Sequence, residues 1–152
     1  MRRSSTFAAR ALSLAALATL VSLSPAAAVS STTYESQVVK RTNTFRSSHD
    51  LVKVKSHSCV DRFAESNAKR MASTGTFSHQ DLGRILDACH LTMVSENIAY
   101  GYSSGNKTVN AWMKSPGHRK NILTRKMRYV GVGAVQDDDG RWYVAQVFGT
   151  KK

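Results

Sequence analysis

Three residues of this chain, His79, Glu96 and His118, are of types that can do chemistry together. Two neutral imidazoles and a carboxylate make a ligand set for a divalent cation, zinc first by ligand type, and the same groups can move protons near neutral pH. Their spacing says little, since no two lie within one helical turn; only the fold can gather them. The plainer reading is that each histidine hydrogen-bonds backbone in a half-buried loop. His118 falls in the first turn of an expected helix, where the helix dipole disfavours the imidazolium. Ser115 precedes Pro116 and reads as the N-cap of that helix before it reads as a nucleophile. There is no glycine-rich phosphate loop, no nucleophile elbow and no H-E-x-x-H pair, which removes the hydrolase classes with local signatures. No residue is assigned a catalytic role. His49, His57 and His90 flank helix ends and cysteines and read as surface or capping groups.

The elements that must position the trio start after an export signal. Arg2, Arg3 and Arg10 precede an apolar run from Ala11 to Leu23, and Pro25 leads into Ala26-Ala27-Ala28, a small-residue cleavage pattern. Residues 1–28 are therefore expected to be a signal peptide, 29–33 a flexible leader and 34–150 one domain, with no transmembrane segment left after cleavage. Tyr34, Val38, Thr42 and Phe45 recur at helical steps. Ser58 reads as the N-cap of a second helix with Phe63, Ala64, Ala68, Met71 and Ala72 as its apolar stripe, stopped at Gly75. A short helical piece is expected from Asp81 to Cys89, and another capped by Asn106 or Thr108, with Trp112 and Met113 in the core. The last third changes period. Tyr129 to Val135 and Trp142 to Phe148 are β-rich runs joined by Asp137-Asp138-Asp139-Gly140, a hairpin signal. Alternation there predicts that one of Trp142 and Tyr143 faces inward and the other outward. Helices first and an antiparallel hairpin last give an α+β fold.

The formal net charge is +12. Such an excess attracts polyanions. The cations are scattered, without an aromatic-spaced nucleic-acid motif, so no specific nucleic acid is expected; export makes an anionic cell-wall polymer the fitting partner. Cys59 and Cys89 are not a C-x-x-C pair, and an oxidising compartment predicts a disulfide between them.

Ser78-His79-Gln80, then Glu96-Asn97-Ile98-Ala99-Tyr100-Gly101, then Trp112 through Leu123 with its Ser115-Pro116-Gly117-His118 core, then Gly131-Val132-Gly133, occur in an order that resembles the CAP superfamily (cysteine-rich secretory proteins, antigen five, pathogenesis-related one) in its bacterial SCP-like extracellular form. Asn43 and Arg46 fit the same pattern. The resemblance implies an α-β-α sandwich, a central antiparallel sheet flanked by helices, with a cleft gathering two histidines and two glutamates. His79, Glu96 and His118 match three of the four, and Ser115 stands where the second glutamate would be, which removes one negative charge from any cation site. It implies a ligand- or envelope-binding module, with a lipid, sterol or other small molecule as ligand. The alternative is a metal-dependent extracellular hydrolase using the same cleft. No cofactor is required by the pattern, and zinc or another divalent cation is the one it suits.

Overall fold

A computed structural model describes residues 29–151; the expected signal peptide lies outside them. The chain runs α1 (Ser31–Ser47), β1 (Lys55–Ser56), α2 (Ser58–Thr74), α3 (Leu82–Ala88), β2 (Met93–Tyr100), α4 (Gly105–Lys114), α5 (Pro116–Leu123), β3 (Tyr129–Gln136) and β4 (Trp142–Thr150). The strands form one sheet in the order β1-β3-β4-β2. β4 is antiparallel to both β2 and β3, as the Asp-Gly hairpin requires. β1, which no sequence pattern announces, is a two-residue edge strand parallel to β3 that makes the sheet mixed.

Helices cover both faces. Val130, Val132 and Ala134 of β3 and Trp142, Val144 and Phe148 of β4 pack in one core with Tyr34, Val38, Trp112 and Ile122 of α1, α4 and α5. Tyr143, Ala145 and Val147 point the other way, into a second core with Val60, Ala64 and Met71 of α2 and Ile85 of α3. Trp142 and Tyr143 are therefore both buried, against the expectation of one in and one out: alternation sends them to opposite faces, and each face has its own core. α2 lies directly on β3 because Gly131 and Gly133 leave room for it. A Cβ at Gly131 would sit 2.3 Å from the Asp61 nitrogen, and one at Gly133 2.4 Å from the Glu65 Cα.

The helix ends differ from the expected ones in detail. α1 begins at Ser31 rather than after a flexible leader to Thr33, because the Ser30 hydroxyl accepts from the Thr33 amide. α2 starts at Ser58 itself, with His57 in the cap position. Ser104, not Asn106 or Thr108, caps α4, by accepting from the Lys107 amide. Gly75 does end α2, at a left-handed φ of 67°. Cys59 and Cys89 form the expected disulfide, joining the start of α2 to the end of α3 across 30 residues of sequence.

The outer edge of β3 is open beyond β1, and two helices close it with carboxylates. Asp61 accepts from the Val132 amide and Glu35 from the Ala134 amide, each at 3.1 Å. These two amides are thereby closed to pairing with another chain. Burial pushes the Glu35 carboxyl up to about 7, and the nearby Glu65 and Asp61 carboxylates add to the rise, against the lowering effect of the Ala134 amide.

Two outcomes are expected. Between pH 4.5 and about 7 folded Glu35 holds a proton that the unfolded chain releases, so its contribution falls as pH rises through that window. Glu35→Gln keeps the acceptor and removes the charge. Urea unfolding should find it equal to the parent at pH 4 and more stable at pH 8, on the order of 1 kcal/mol after screening of a half-exposed group; the same difference at both pH values would contradict the assignment. Replacing Cys59 and Cys89 together by serine should cost about 3 kcal/mol, from the entropy of the loop released.

Candidate functional site

Glu96 is the buried acid of the sheet, 4% exposed on β2. A carboxylate taken out of water needs partners for its lone pairs. Its Oε1 accepts from Asn67 Nδ2 of α2 at 3.0 Å and from Gln80 Nε2 at 2.6 Å. Its Oε2 meets His79 Nδ1 at 2.7 Å and the Gln80 amide at 3.4 Å. The Ser78-His79-Gln80 segment is thus a clamp on Glu96. Ser78 is itself held by Arg70, whose Nη2 donates to the Ser78 carbonyl at 2.8 Å and to its hydroxyl at 3.1 Å. With Nδ1 engaged, Nε2 is the ring nitrogen His79 has left for a ligand, and its side chain is 56% exposed.

The opposite face of β2 carries a second polar network. Asn97 Nδ2 donates to Gln146 Oε1 at 3.2 Å, and Gln146 Nε2 donates to the Thr42 hydroxyl of α1 at 2.9 Å. Asn121 Nδ2 donates to Asn97 Oδ1 and to the Glu96 carbonyl, and Trp112 Nε1 donates to the Ile98 carbonyl at 3.1 Å. α4 and α5 thereby occupy the free edge of β2 with side-chain donors. Arg46 does similar work below them. Fully buried, it donates to the carbonyls of Val52, Ile122, Thr124 and Met127, tying α1 to the loop before β3. Asn43 pairs with both the amide and the carbonyl of Val54.

His118 is half-buried at the start of α5, its ring 6.3 Å from that of Trp112. Its pKa is lowered by burial first and by His79 second. The neutral form expected from helix position is supported, with burial as the leading cause. Ser115 occupies the N-cap position of α5, but its side chain makes no capping hydrogen bond, contrary to expectation. His118 and Ser115 line a cleft of about 390 Å³ with Phe77, Tyr100, Tyr102 and Trp112. His79 stands beside this cleft and does not line it. Among the described residues no three His, Cys, Asp or Glu side chains are grouped to hold a metal ion. The expected set of His79, Glu96 and His118 does not fit as a three-ligand centre, because both Glu96 oxygens are already committed to Asn67, His79 and Gln80.

The profile of the cysteine-rich secretory protein family, CAP, matches residues 39–148. The chain belongs to the CAP family. It is 32% identical over 111 residues to the protein YkwD of Bacillus subtilis, covering 68% of this chain and 43% of that one. It is also 32% identical over 109 residues to the Bacillus subtilis membrane protein YlbC, covering 67% of this chain and 32% of that one. The chain thus spans less than half the length of these two relatives. An extracellular protein containing an SCP domain from Bacillus anthracis superposes with a TM-score of 0.71 at 29% identity, over 80% of this chain and 41% of that chain. At 14% identity, a structure of NaASP2 with Zn2+ shares the CAP fold, with a TM-score of 0.61 over 84% of each chain.

Sequence reasoning singled out His79, Glu96, His118 and Ser115 and missed the residues that hold them. Asn67 interrupts the apolar stripe of α2 and Gln146 the apolar run of β4. A polar residue at a buried position was the available signal in both cases. Phe77, Tyr100 and Tyr102 carried no periodic signal, since exposure of a ring is visible only in the fold.

Glu96→Ala removes the acceptor shared by Asn67, His79 and Gln80. It should cost about 2–4 kcal/mol in urea unfolding, the usual penalty for stranding buried donors. The His79 ring signals should narrow in NMR as the clamp loosens; unchanged stability and linewidth would show that the clamp carries no load.

Proposed function

We propose that this chain is an exported binding module that holds a small, flat-faced ligand in the cleft between Tyr100, Trp112 and His118. One observation supports this most directly. Of the four large apolar side chains exposed among the described residues, Phe77 at 44%, Tyr100 at 50% and Tyr102 at 39% line that cleft together. Exposed rings gathered on one concave surface are a recognition feature, since scattered exposure needs no explanation and clustering does. The rings are also ordered: Phe77 meets Tyr100 edge-on at 4.9 Å between centroids, and Tyr100 stacks on buried Tyr143 at 5.8 Å. Two phenol hydroxyls and the neutral His118 imidazole add hydrogen-bonding groups at the rim. A ligand with a flat apolar face and hydroxyls at its edge suits this surface, as a wall-glycan fragment or a sterol would.

Export is part of the same reading. It is supported by the arginine-flanked apolar run before Ala26-Ala27-Ala28 and by the Bacillus anthracis relative, an extracellular protein. No helix among the described residues is long and apolar enough to cross a membrane. The net charge of +12, of which +9 remains once Arg2, Arg3 and Arg10 are set aside (12 − 3 = 9), adds anionic envelope polymers as a second class of partner. The alternative reading, a metal-dependent hydrolase working through His79, Glu96 and His118, is disfavoured by the saturated Glu96 carboxylate. The Ser115 hydroxyl, for its part, has no hydrogen bond to His118 that would make it a nucleophile.

Calorimetric titration with muropeptides, sterols and fatty acids is the test. Saturable binding to one class is expected, with Tyr100→Ala and Tyr102→Ala each weakening it about tenfold, the usual worth of a stacked ring. No saturable binding to any class would overturn the reading. Zinc uptake at neutral pH that His79→Ala and His118→Ala each abolish would favour the hydrolase instead.

A further inference from the structure

A second concavity of about 450 Å³ lies between α2 and α3, bordered on one side by Asn67 and Gln80 of the Glu96 clamp. Its wall is written into α2 by helical spacing: Arg62, Ser66 and Arg70 follow one another at four-residue steps along one face, with the small Ser66 leaving space between two long cations. Arg84 comes from α3. Phe63 and the disulfide-bonded Cys59 supply apolar lining, so that the three guanidiniums stand around a partly apolar hollow.

Arg70 is fixed before any ligand arrives. Its Nε and Nη2 donate to Asn67 Oδ1 at 3.1 and 2.7 Å, and Nη2 also reaches Ser78. Arg62 and Arg84 are different. Among the described residues neither side chain has a hydrogen bond, and the one ion pair is His79 with Glu96. Asp81 is the one acid lining the hollow, and its Oδ1 accepts from the Arg84 amide as the cap of α3. Three cations against one committed carboxylate leave the groove with an uncompensated positive charge, on a surface that Phe63 makes partly apolar.

We propose that this groove binds a phosphate ester on an apolar body, with the phosphate forked between the Arg62 and Arg84 guanidiniums and Arg70 holding the field behind them. Guanidinium suits this ligand because its planar fork donates two parallel hydrogen bonds to phosphate oxygens, which an ammonium does not. The apolar part lies on Phe63. The site is separate from the aromatic cleft and does not depend on the function proposed for it.

The experiment is an NMR titration of the exported domain with phenyl phosphate, inorganic phosphate and phenol, followed on the Arg Nε–Hε signals at fixed ionic strength. Phenyl phosphate should saturate, with Arg62 and Arg84 shifting together, and bind at least tenfold more tightly than inorganic phosphate or phenol. Arg62→Ala with Arg84→Ala should weaken it at least tenfold; both positions are exposed, so the melting temperature should hold. Arg62→Lys with Arg84→Lys keeps the charge and should recover only part of the affinity. Tyr100→Ala should leave phenyl phosphate binding unchanged, which separates a failure here from a failure of the aromatic cleft. Sedimentation with phosphatidylglycerol vesicles, if lost in the double alanine variant, assigns the ester to a lipid headgroup; soluble binding without sedimentation assigns it to a free phosphate ester. Equal phenyl phosphate affinity for the parent and the double alanine variant, or full recovery by lysine, would overturn the proposal.

Discussion

Burying the Glu96 carboxylate is the constraint that the functional surface of this protein follows from. A charge-capable group placed in the sheet is tolerable only when each oxygen is hydrogen-bonded, because an unpaired buried carboxylate costs several kcal/mol. Glu96 meets that condition by drawing donors from two separate parts of the chain, Asn67 in the middle of α2 and His79 with Gln80 in the loop after it. That fixes the loop against the end of β2. Phe77 rides on the same loop and so arrives next to Tyr100, and the cleft has one of its walls. The exposed imidazole of His79 is left with one free nitrogen at the margin of that wall. The polar cluster is therefore a positioning device first, and any chemistry at His79 is secondary to it.

The same economy governs the two open edges of the sheet. β2 has its outer carbonyls met by Asn121 and Trp112, and β3 has its outer amides met by Asp61 and Glu35. Helices that pack on the faces also reach over the rims, so part of each open ladder is met by side chains of the same chain. The cost is carried by Glu35, whose carboxyl sits near carboxylates of α2 and titrates far above its ordinary range.

Much of the fold was legible because period and punctuation agreed. The apolar stripe of α2, its stop at Gly75, the Asp-Gly hairpin and the alternating strands on either side of it all appear where the residues place them. Helix starts were less legible, since Ser30, Ser58, Ser104 and Ser115 are chemically equivalent, and local sequence does not say which hydroxyl reaches an amide. β1 was invisible because two residues carry no period. The burial of both Trp142 and Tyr143 depended on knowing that helices cover both faces, a tertiary fact that alternation alone does not contain. For the site, residue type picked out Glu96, His79 and His118, but not that the first two would pair while the third would line the aromatic cleft.

That separation bears on what family membership transfers to this chain. Of the residues that identify it as a CAP protein, Asn43, Arg46, Asn97, Trp112 and Asn121 all spend their polar groups on backbone or on one another. They specify how α1, α4 and α5 dock on the sheet, and any chain that keeps the fold has reason to keep them. The groups that face outward with unspent capacity are different ones: the rings of Phe77, Tyr100 and Tyr102, the free nitrogen of His79, and the guanidiniums of Arg62 and Arg84. None of the three rings and neither arginine holds the architecture through a hydrogen bond of its side chain among the described residues, so each can change without loss of the fold. Likeness to a relative therefore carries the sandwich across without carrying the ligand.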